Sequence, residues 1–285
     1  MLYLFAATHC EARPLIQHYH LKKDISQTQF QVFFHETANI CLTITGTGMI
    51  ASAAAVACIC TRHRPSAYSF LANIGICASS TEKNTVFLCN KITEEPTGRT
   101  FYPDMLFSHS FCEAKIITVP KPLSGRILEQ NTSGRKETCL YDMEASSIYQ
   151  AGSYFFGPHQ MSFLKIISDN GDVQNVTPKL AGSWIEKKLP EITEYLDMLQ
   201  TIDRFEKQNA APKEPEPEPL LEKLYADLHC SHAMRLSLGQ QLRYCALAKI
   251  DYPSVIQNMY LEQFLPCKDK KEGKRCFEEL KRRLL

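Results

Sequence analysis

Short apolar runs closed by polar or glycine-containing turns recur along the N-terminal part of this chain: Leu2 to Ala7, Phe30 to Phe34, Ile40 to Thr45, Tyr68 to Ile74, Thr85 to Ile92, Lys115 to Val119 and Met161 to Ile167. Runs of this length and content read as strands. Stretches with helical periodicity stand between several of them. Ala51 to Arg62 is alanine-rich and follows the glycine turn Thr45-Gly46-Thr47-Gly48. Met143 to Phe156 spaces Met143, Ile148, Ala151 and Phe155 helically before Gly157-Pro158 stops it, and Pro178 to Leu199 sets apolar residues among Glu and Lys. Strands alternating with helices indicate a layered α/β fold around a mainly parallel or mixed central sheet.

That pattern breaks at Asn209-Ala210-Ala211-Pro212-Lys213-Glu214-Pro215-Glu216-Pro217-Glu218-Pro219. Repeated prolines remove backbone donors and favour an extended spacer. The reading therefore assigns residues 1–200 to the α/β domain, 201–219 to a Pro/Glu-rich linker and 220–285 to a helical accessory segment. Pro253 and Pro266 divide this last segment, and Cys276, Phe277, Leu280 and Leu284 share helical spacing near its end. From Lys268 to Leu285 there are eight Lys or Arg against four Asp or Glu. Such a basic amphipathic helix either docks on its own core or offers a contact to a partner protein or, weakly and salt-sensitively, to nucleic acid.

Composition narrows the class. With 285 residues, 44% hydrophobic and 22% charged, the chain can bury a substantial core. A formal charge of +1 provides no global basic field for nucleic acid. The twelve cysteines are scattered through apparent strands and helices, as at Cys41, Cys58, Cys60, Cys77 and Cys89, and read as reduced core residues. Met1 to Thr8 opens directly as an apolar strand, and no stretch reaches the ~20 apolar residues of a membrane span. A cytoplasmic protein with no membrane association is expected. His18-Tyr19-His20 and His229-Cys230-Ser231-His232 lack a second well-spaced half, so no metal site is expected.

Two carboxylates stand out at element ends. Tyr141-Asp142-Met143-Glu144-Ala145-Ser146 puts Glu144 in the first turn of its helix, and Leu164-Lys165-Ile166-Ile167-Ser168-Asp169-Asn170 ends a buried strand at Asp169. In open α/β sheets ligands bind in the crevice beyond the carboxyl ends of the strands. Both residues also have plain structural readings, Asp169 as a turn aspartate and Glu144 as a glutamate favoured by the helix dipole.

Taken with Leu4-Phe5-Ala6-Ala7-Thr8-His9-Cys10-Glu11-Ala12-Arg13-Pro14-Leu15 and Leu71-Ala72-Asn73-Ile74-Gly75-Ile76-Cys77-Ala78, these motifs resemble the purine nucleoside phosphorylase and nucleosidase superfamily over Met1 to Leu199, most closely its methylthioadenosine/S-adenosylhomocysteine nucleosidase branch. The resemblance implies a three-layer α/β fold with a mixed sheet, a homodimer, a small-molecule nucleoside substrate and no cofactor. It implies that Asp169 protonates purine N7, Glu144 accepts from the ribose hydroxyls and Glu11 orients or deprotonates water. Met143 would face the ribose, with Gly75, Cys77 and Ala78 lining the pocket as a small-residue loop after a strand. Lys165 stands where relatives carry arginine, as a working substitute or simply a strand-end cation. Phe101 and Tyr102 would either close the partner's pocket across the dimer interface or anchor their own loop.

Phosphorolysis needs cations for phosphate. The N-terminal loop offers Glu11 and the central loop none, leaving Arg13, which also fits a helix surface; hydrolysis is the better reading. One departure concerns the base: no aromatic residue lies between Phe111 and Tyr141, where the family places a purine-stacking side chain. A nucleoside-binding regulatory protein is the rival to an enzyme.

Overall fold

β1 (Leu2–Ala6) shows how the sheet is built. All five residues are buried, Leu2, Leu4 and Ala6 in one core cluster and Tyr3 and Phe5 in another. A strand apolar on both sides belongs inside a covered sheet. β1 pairs in parallel with β4 (Ile40–Ile44) and β5 (Phe70–Ala78). On the Leu2 side, α1 (His9–His18) supplies Ala12 and Leu15, and α4 (Pro178–Asn209) supplies Ile185, Ile192, Leu196 and Leu199. The opposite cluster takes Val56 and Ile59 from α2 (Met49–His63) and Ile148 and Tyr149 from α3 (Ala145–Gly152).

This computed structural model describes residues 1–26, 29–35, 37–81, 83–123, 138–171, 177–209 and 219–284. The chain divides into two units, Met1–Asn209 and Ala210–Leu285. In the first, the mixed sheet closes on itself. β5 pairs in parallel with β10 (Met161–Asp169), which pairs antiparallel with β6 (Val86–Glu94). β6 pairs in parallel with β8 (Cys112–Thr118), and β8 with β9 (Cys139–Asp142). β9 returns to β5 through Ala78 and Tyr141. β3 (Gln31–His35) and β2 (Lys22–Lys23) extend the far edge, and β7 (Thr100–Phe101) pairs with β6.

The closed ring explains where the sequence reading falls short. Gly75, Cys77 and Ala78 are strand residues, not loop, because β5 is held extended by β10 along its length and by β9 at its end. β10 likewise runs to Asp169, so Lys165 lies within a strand instead of at its terminus. α3 begins at Ala145 and Glu144 is its N-cap. α4 continues past Leu199, so residues 201–209 are helix where a linker was expected. That extension buries Asp203, whose two carboxylate oxygens lie 3.0 Å from the Met1 amino group. The spacer at 210–218 and most of the Pro120 to Thr138 segment fall outside the described residues.

The second unit comprises α5 (Pro219–Asp227), α6 (His232–Leu247), α7 (Tyr252–Leu261) and α8 (Lys270–Leu284). Leu224, Leu238, Leu242, Ile256, Phe277 and Leu280 belong to its core. The Cys276, Phe277, Leu280 and Leu284 stripe is buried within this unit. Gly273 permits the tightest approach, since a Cβ there would sit 2.1 Å from the Leu228 carbonyl oxygen. Among the described residues, no helix is long and apolar enough to cross a membrane.

Candidate active site

The first turn of α1 fixes Glu11. Thr8 caps the helix, its backbone N–H and Oγ1 each donating to Glu11 Oε2 at 2.8 Å, while Glu11 N–H donates back to Thr8 Oγ1 at 3.4 Å. This is a complete capping box. Glu11 Oε1 accepts from Ile76 N–H across the sheet at 3.0 Å. Next to Ile76, Gly75 keeps a space open: a Cβ there would lie 3.0 Å from Glu11 Oε1 and 3.6 Å from Lys165 Nζ.

Lys165 arrives at that point because β10 pairs with β5 in the register Lys165 to Gly75. The residue is 1% exposed, and its Nζ lies 2.8 Å from Asp142 Oδ2. Burial by itself would depress the lysine pKa; the Asp142 and Glu144 carboxylates outweigh it and lift it above the usual range. Asp142, at the end of β9, also accepts from Ala145 N–H and from Thr118 Oγ1, both at 2.8 Å. Thr118 Oγ1 in turn accepts from Ser146 N–H at 2.9 Å.

Glu144 follows two residues later, 7% exposed, with Oε1 accepting from Gly48 N–H at 2.8 Å. Gly48 has φ of +97°, a backbone state that glycine adopts without strain. Burial pushes the Glu144 carboxyl up to about 7, with Asp142 and Glu11 adding to the rise and Lys165 and the Gly48 N–H opposing it. Asp169 closes the set at the end of β10, where a register shift between Ile167 and Asp169 re-aims the chain opposite Ala78. Its oxygens accept from Ser168 Oγ at 2.7 Å and Gly171 N–H at 2.8 Å.

Glu11, Gly75, Glu144 and Lys165 thus converge, with Asp169 at the end of the same strand as Lys165. Met143 and Ala78 share an apolar cluster with Tyr141, Val119 and Ile117. Cys77 differs from expectation: its side chain belongs to the α2/α3-side core, and burial drives its thiol pKa well up. Phe101 and Tyr102 are not brought into the cluster. Phe101 stacks on Tyr149 at 5.1 Å between ring centroids, and the Tyr102 carbonyl accepts from Tyr149 Oη. Phe101 instead lines an open apolar groove of about 960 Å³ with Met49, Ile50, Ala53, Tyr154 and Phe155.

Sequence reasoning missed Asp142 and Thr118. One signal for Asp142 was present, since a lysine inside an otherwise apolar strand requires a buried counter-charge. Chemically, the arrangement gathers three carboxylates, Glu11, Asp142 and Glu144, around one cation, suited to stabilising a substrate that becomes positive and unsuited to holding an oxyanion.

The fold to be compared with known proteins is a ring-closed mixed sheet between two helical layers. No protein-family profile and no curated protein matches this chain. Solved structures do. The 5′-methylthioadenosine/S-adenosylhomocysteine nucleosidase of Neisseria meningitidis in complex with methylthio-immucillin-A aligns with a TM-score of 0.54 and 16% identity over 68% of this chain and 98% of that one. Arabidopsis thaliana 5′-methylthioadenosine nucleosidase in apo form gives 0.56 and 15% over 70% and 95%. The futalosine hydrolase of Helicobacter pylori gives 0.54 and 12% over 69% and 97%. At such identities the likeness is one of fold.

Proposed function

We propose that Met1–Asn209 hydrolyses the N-glycosidic bond of a purine-type nucleoside or a 5′-modified relative, without metal or organic cofactor. The observation that carries this reading is the convergence of Glu11 and Lys165 on the space above Gly75, with Glu144 beside it and Asp169 at the adjoining strand end. N-glycosidic cleavage develops oxocarbenium character on the ribose, and the excess of carboxylates favours that charge. A carboxylate has about four acceptor sites. Thr8 and Ile76 occupy three on Glu11, leaving one on Oε1 for a water in the space that Gly75 keeps open.

Glu144, ionised, accepts from the ribose hydroxyls, Met143 and Ala78 bound the apolar side, and Asp169 donates its proton toward purine N7. Lys165 supplies one positive charge in place of an arginine's forked donors. Water is favoured over phosphate because Arg13 is exposed on α1 and Lys165 is bound to Asp142. The test incubates purified protein with a nucleoside panel, with and without phosphate, and detects free base together with ribose or ribose 1-phosphate. Phosphate-dependent ribose 1-phosphate would identify a phosphorylase. Binding without cleavage would identify a nucleoside-binding regulator, the reading supported by the absence of an aromatic residue between Phe111 and Tyr141.

The apolar groove is read as the seat of a second copy, so that Phe101 and Tyr102 act on the partner's pocket. Ile50, 89% exposed on its rim, is the natural probe. Ile50→Glu should convert a dimer to monomers in light scattering. Residues 220–285 are read as an accessory module, so truncation after Asn209 should leave hydrolysis unchanged.

A further inference from the structure

One buried acid in this site has no part in the reaction as proposed. Asp142 has a fully buried side chain, 0% exposed, and three partners hold it: Thr118 Oγ1, Ala145 N–H and Lys165 Nζ. Accepting from the Ala145 N–H at the start of α3 needs only an acceptor, which asparagine also provides. The charge therefore calls for a separate explanation, and Lys165 supplies it. A buried ammonium must pair with a carboxylate. Glu11 and Glu144 both stand near, yet among the described residues the one ion pair of Lys165 is with Asp142. Thr118 and Ala145 immobilise Asp142, so the lysine goes to it and both glutamates keep acceptor sites open.

We propose that Asp142 is a positioning residue, which retains Lys165 so that Glu11 and Glu144 stay available to water and ribose hydroxyls while the lysine charge still acts on both. The groups that act on Glu144 are Asp142 on β9, Lys165 on β10, Glu11 on α1 and the Gly48 N–H before α2. The thiols of Cys77 and Cys89, which feel Lys165 and Asp142, stay protonated because burial raises both. Asp142 then has two consequences: an effect on rate, which rests on the nucleosidase reading, and an effect on the titration of Glu144, which does not.

The test uses the full chain. Carbon-13 NMR follows the Glu144 carboxyl through pH 5 to 9 in the parent, Asp142→Asn and Asp142→Glu, alongside kcat and KM for adenosine and 2′-deoxyadenosine. In Asp142→Asn a like charge is lost and Lys165 moves onto the glutamates, so the Glu144 midpoint falls by about one pH unit or more. The preference for adenosine over 2′-deoxyadenosine in kcat/KM shrinks with it, because the lysine now occupies the carboxylate that reads the hydroxyls. Asp142→Glu keeps the charge and restores both properties. An unchanged Glu144 midpoint in folded Asp142→Asn overturns the proposal and leaves Asp142 only an acceptor for the Ala145 N–H and the Thr118 hydroxyl. Should that variant not fold, Lys165→Met is compared with the Asp142→Asn/Lys165→Met double variant. If Asp142 acts through Lys165, the two agree in kcat/KM within about twofold; a further fall in the double variant overturns the proposal. If the parent cleaves neither nucleoside, the nucleosidase reading fails and the titration alone decides the role of Asp142.

Discussion

Two ionic constellations of similar geometry do different things in this protein. In the first unit Lys165 Nζ meets Asp142 Oδ2 at 2.8 Å, with side chains 2% and 0% exposed. On α8 in the second unit, Arg283 meets Glu279 at 2.8 Å and Glu262 at 2.7 Å, and Arg282 meets Glu279 at 2.7 Å, with side chains 23% to 75% exposed. Arg282 and Arg283 hold the Glu279 carboxyl down to about 2. Distance does not separate the two groups; water does. Exposed pairs exchange one set of strong solvent interactions for another and are screened, so they add little stability. The buried pair has no solvent to fall back on, so removing one member leaves an uncompensated charge. The α8 arginines are also largely engaged by their own glutamates, which leaves fewer cations for an outside partner than the sequence count of eight suggests.

The comparison can be tested from the largest expected effect downward. Asp169→Asn, at the end of the strand that carries Lys165, should lower turnover by about two to four orders of magnitude, the range for losing a general acid. Circular dichroism of that variant should match the parent. Lys165→Met should destabilise the first unit by about 3–5 kcal/mol, measured by denaturant unfolding, because Asp142 is left buried and unpaired. If the loss were no larger than that of an exposed pair, burial would not be the deciding variable.

Gly273→Ala examines packing in the second unit without touching charge. Its new Cβ meets the Leu228 carbonyl, and forcing α8 outward should cost about 1–3 kcal/mol. A smaller effect, confined to pH, should come from Glu144→Gln. The Glu144 carboxyl is raised from 4.5 to about 7, so the folded state binds its proton more tightly than the unfolded state does. Its contribution to stability is therefore fully present below pH 4.5 and is lost as pH rises through about 7. The glutamine variant should flatten the unfolding free energy across that window. Smallest of all, Arg283→Met should leave the melting temperature of the second unit within error of the parent. A large drop there would place the α8 network on the same footing as the buried pair.

Much of the fold was legible because strands and helices announce themselves through period and punctuation. The short apolar runs located β1, β3, β4, β5, β6, β8 and β10 to within a few residues. β9 escaped because Cys139–Asp142 is four residues long and is strand only by pairing with β8 and β5. Glu11, Glu144, Asp169 and Lys165 were singled out as residues, and only the family resemblance, not their spacing, placed them in one site. Glu11 and Ile76 are far apart in the chain and are joined by a sheet crossover. The loop assigned to Gly75 through Ala78 was strand because parallel partners on β5 outweigh the small side chains that suggested a turn.

Local chemistry written in the sequence was sufficient for the α/β alternation, the amphipathic stripe of α8 and the positions of the acidic motifs, because each depends on residues a few places apart. The choice of partner for Lys165 was not of that kind. Its counter-ion lies 23 positions earlier, at Asp142, and the two meet only because β10, β6, β8, β9 and β5 close a ring that carries one strand end to the other. Tertiary structure likewise made Glu144 a cap residue with a raised pKa, since that shift comes from burial and from charges on other elements. Electrostatics acts across space and is set by what excludes water, and the ordering of residues along a chain leaves both undecided.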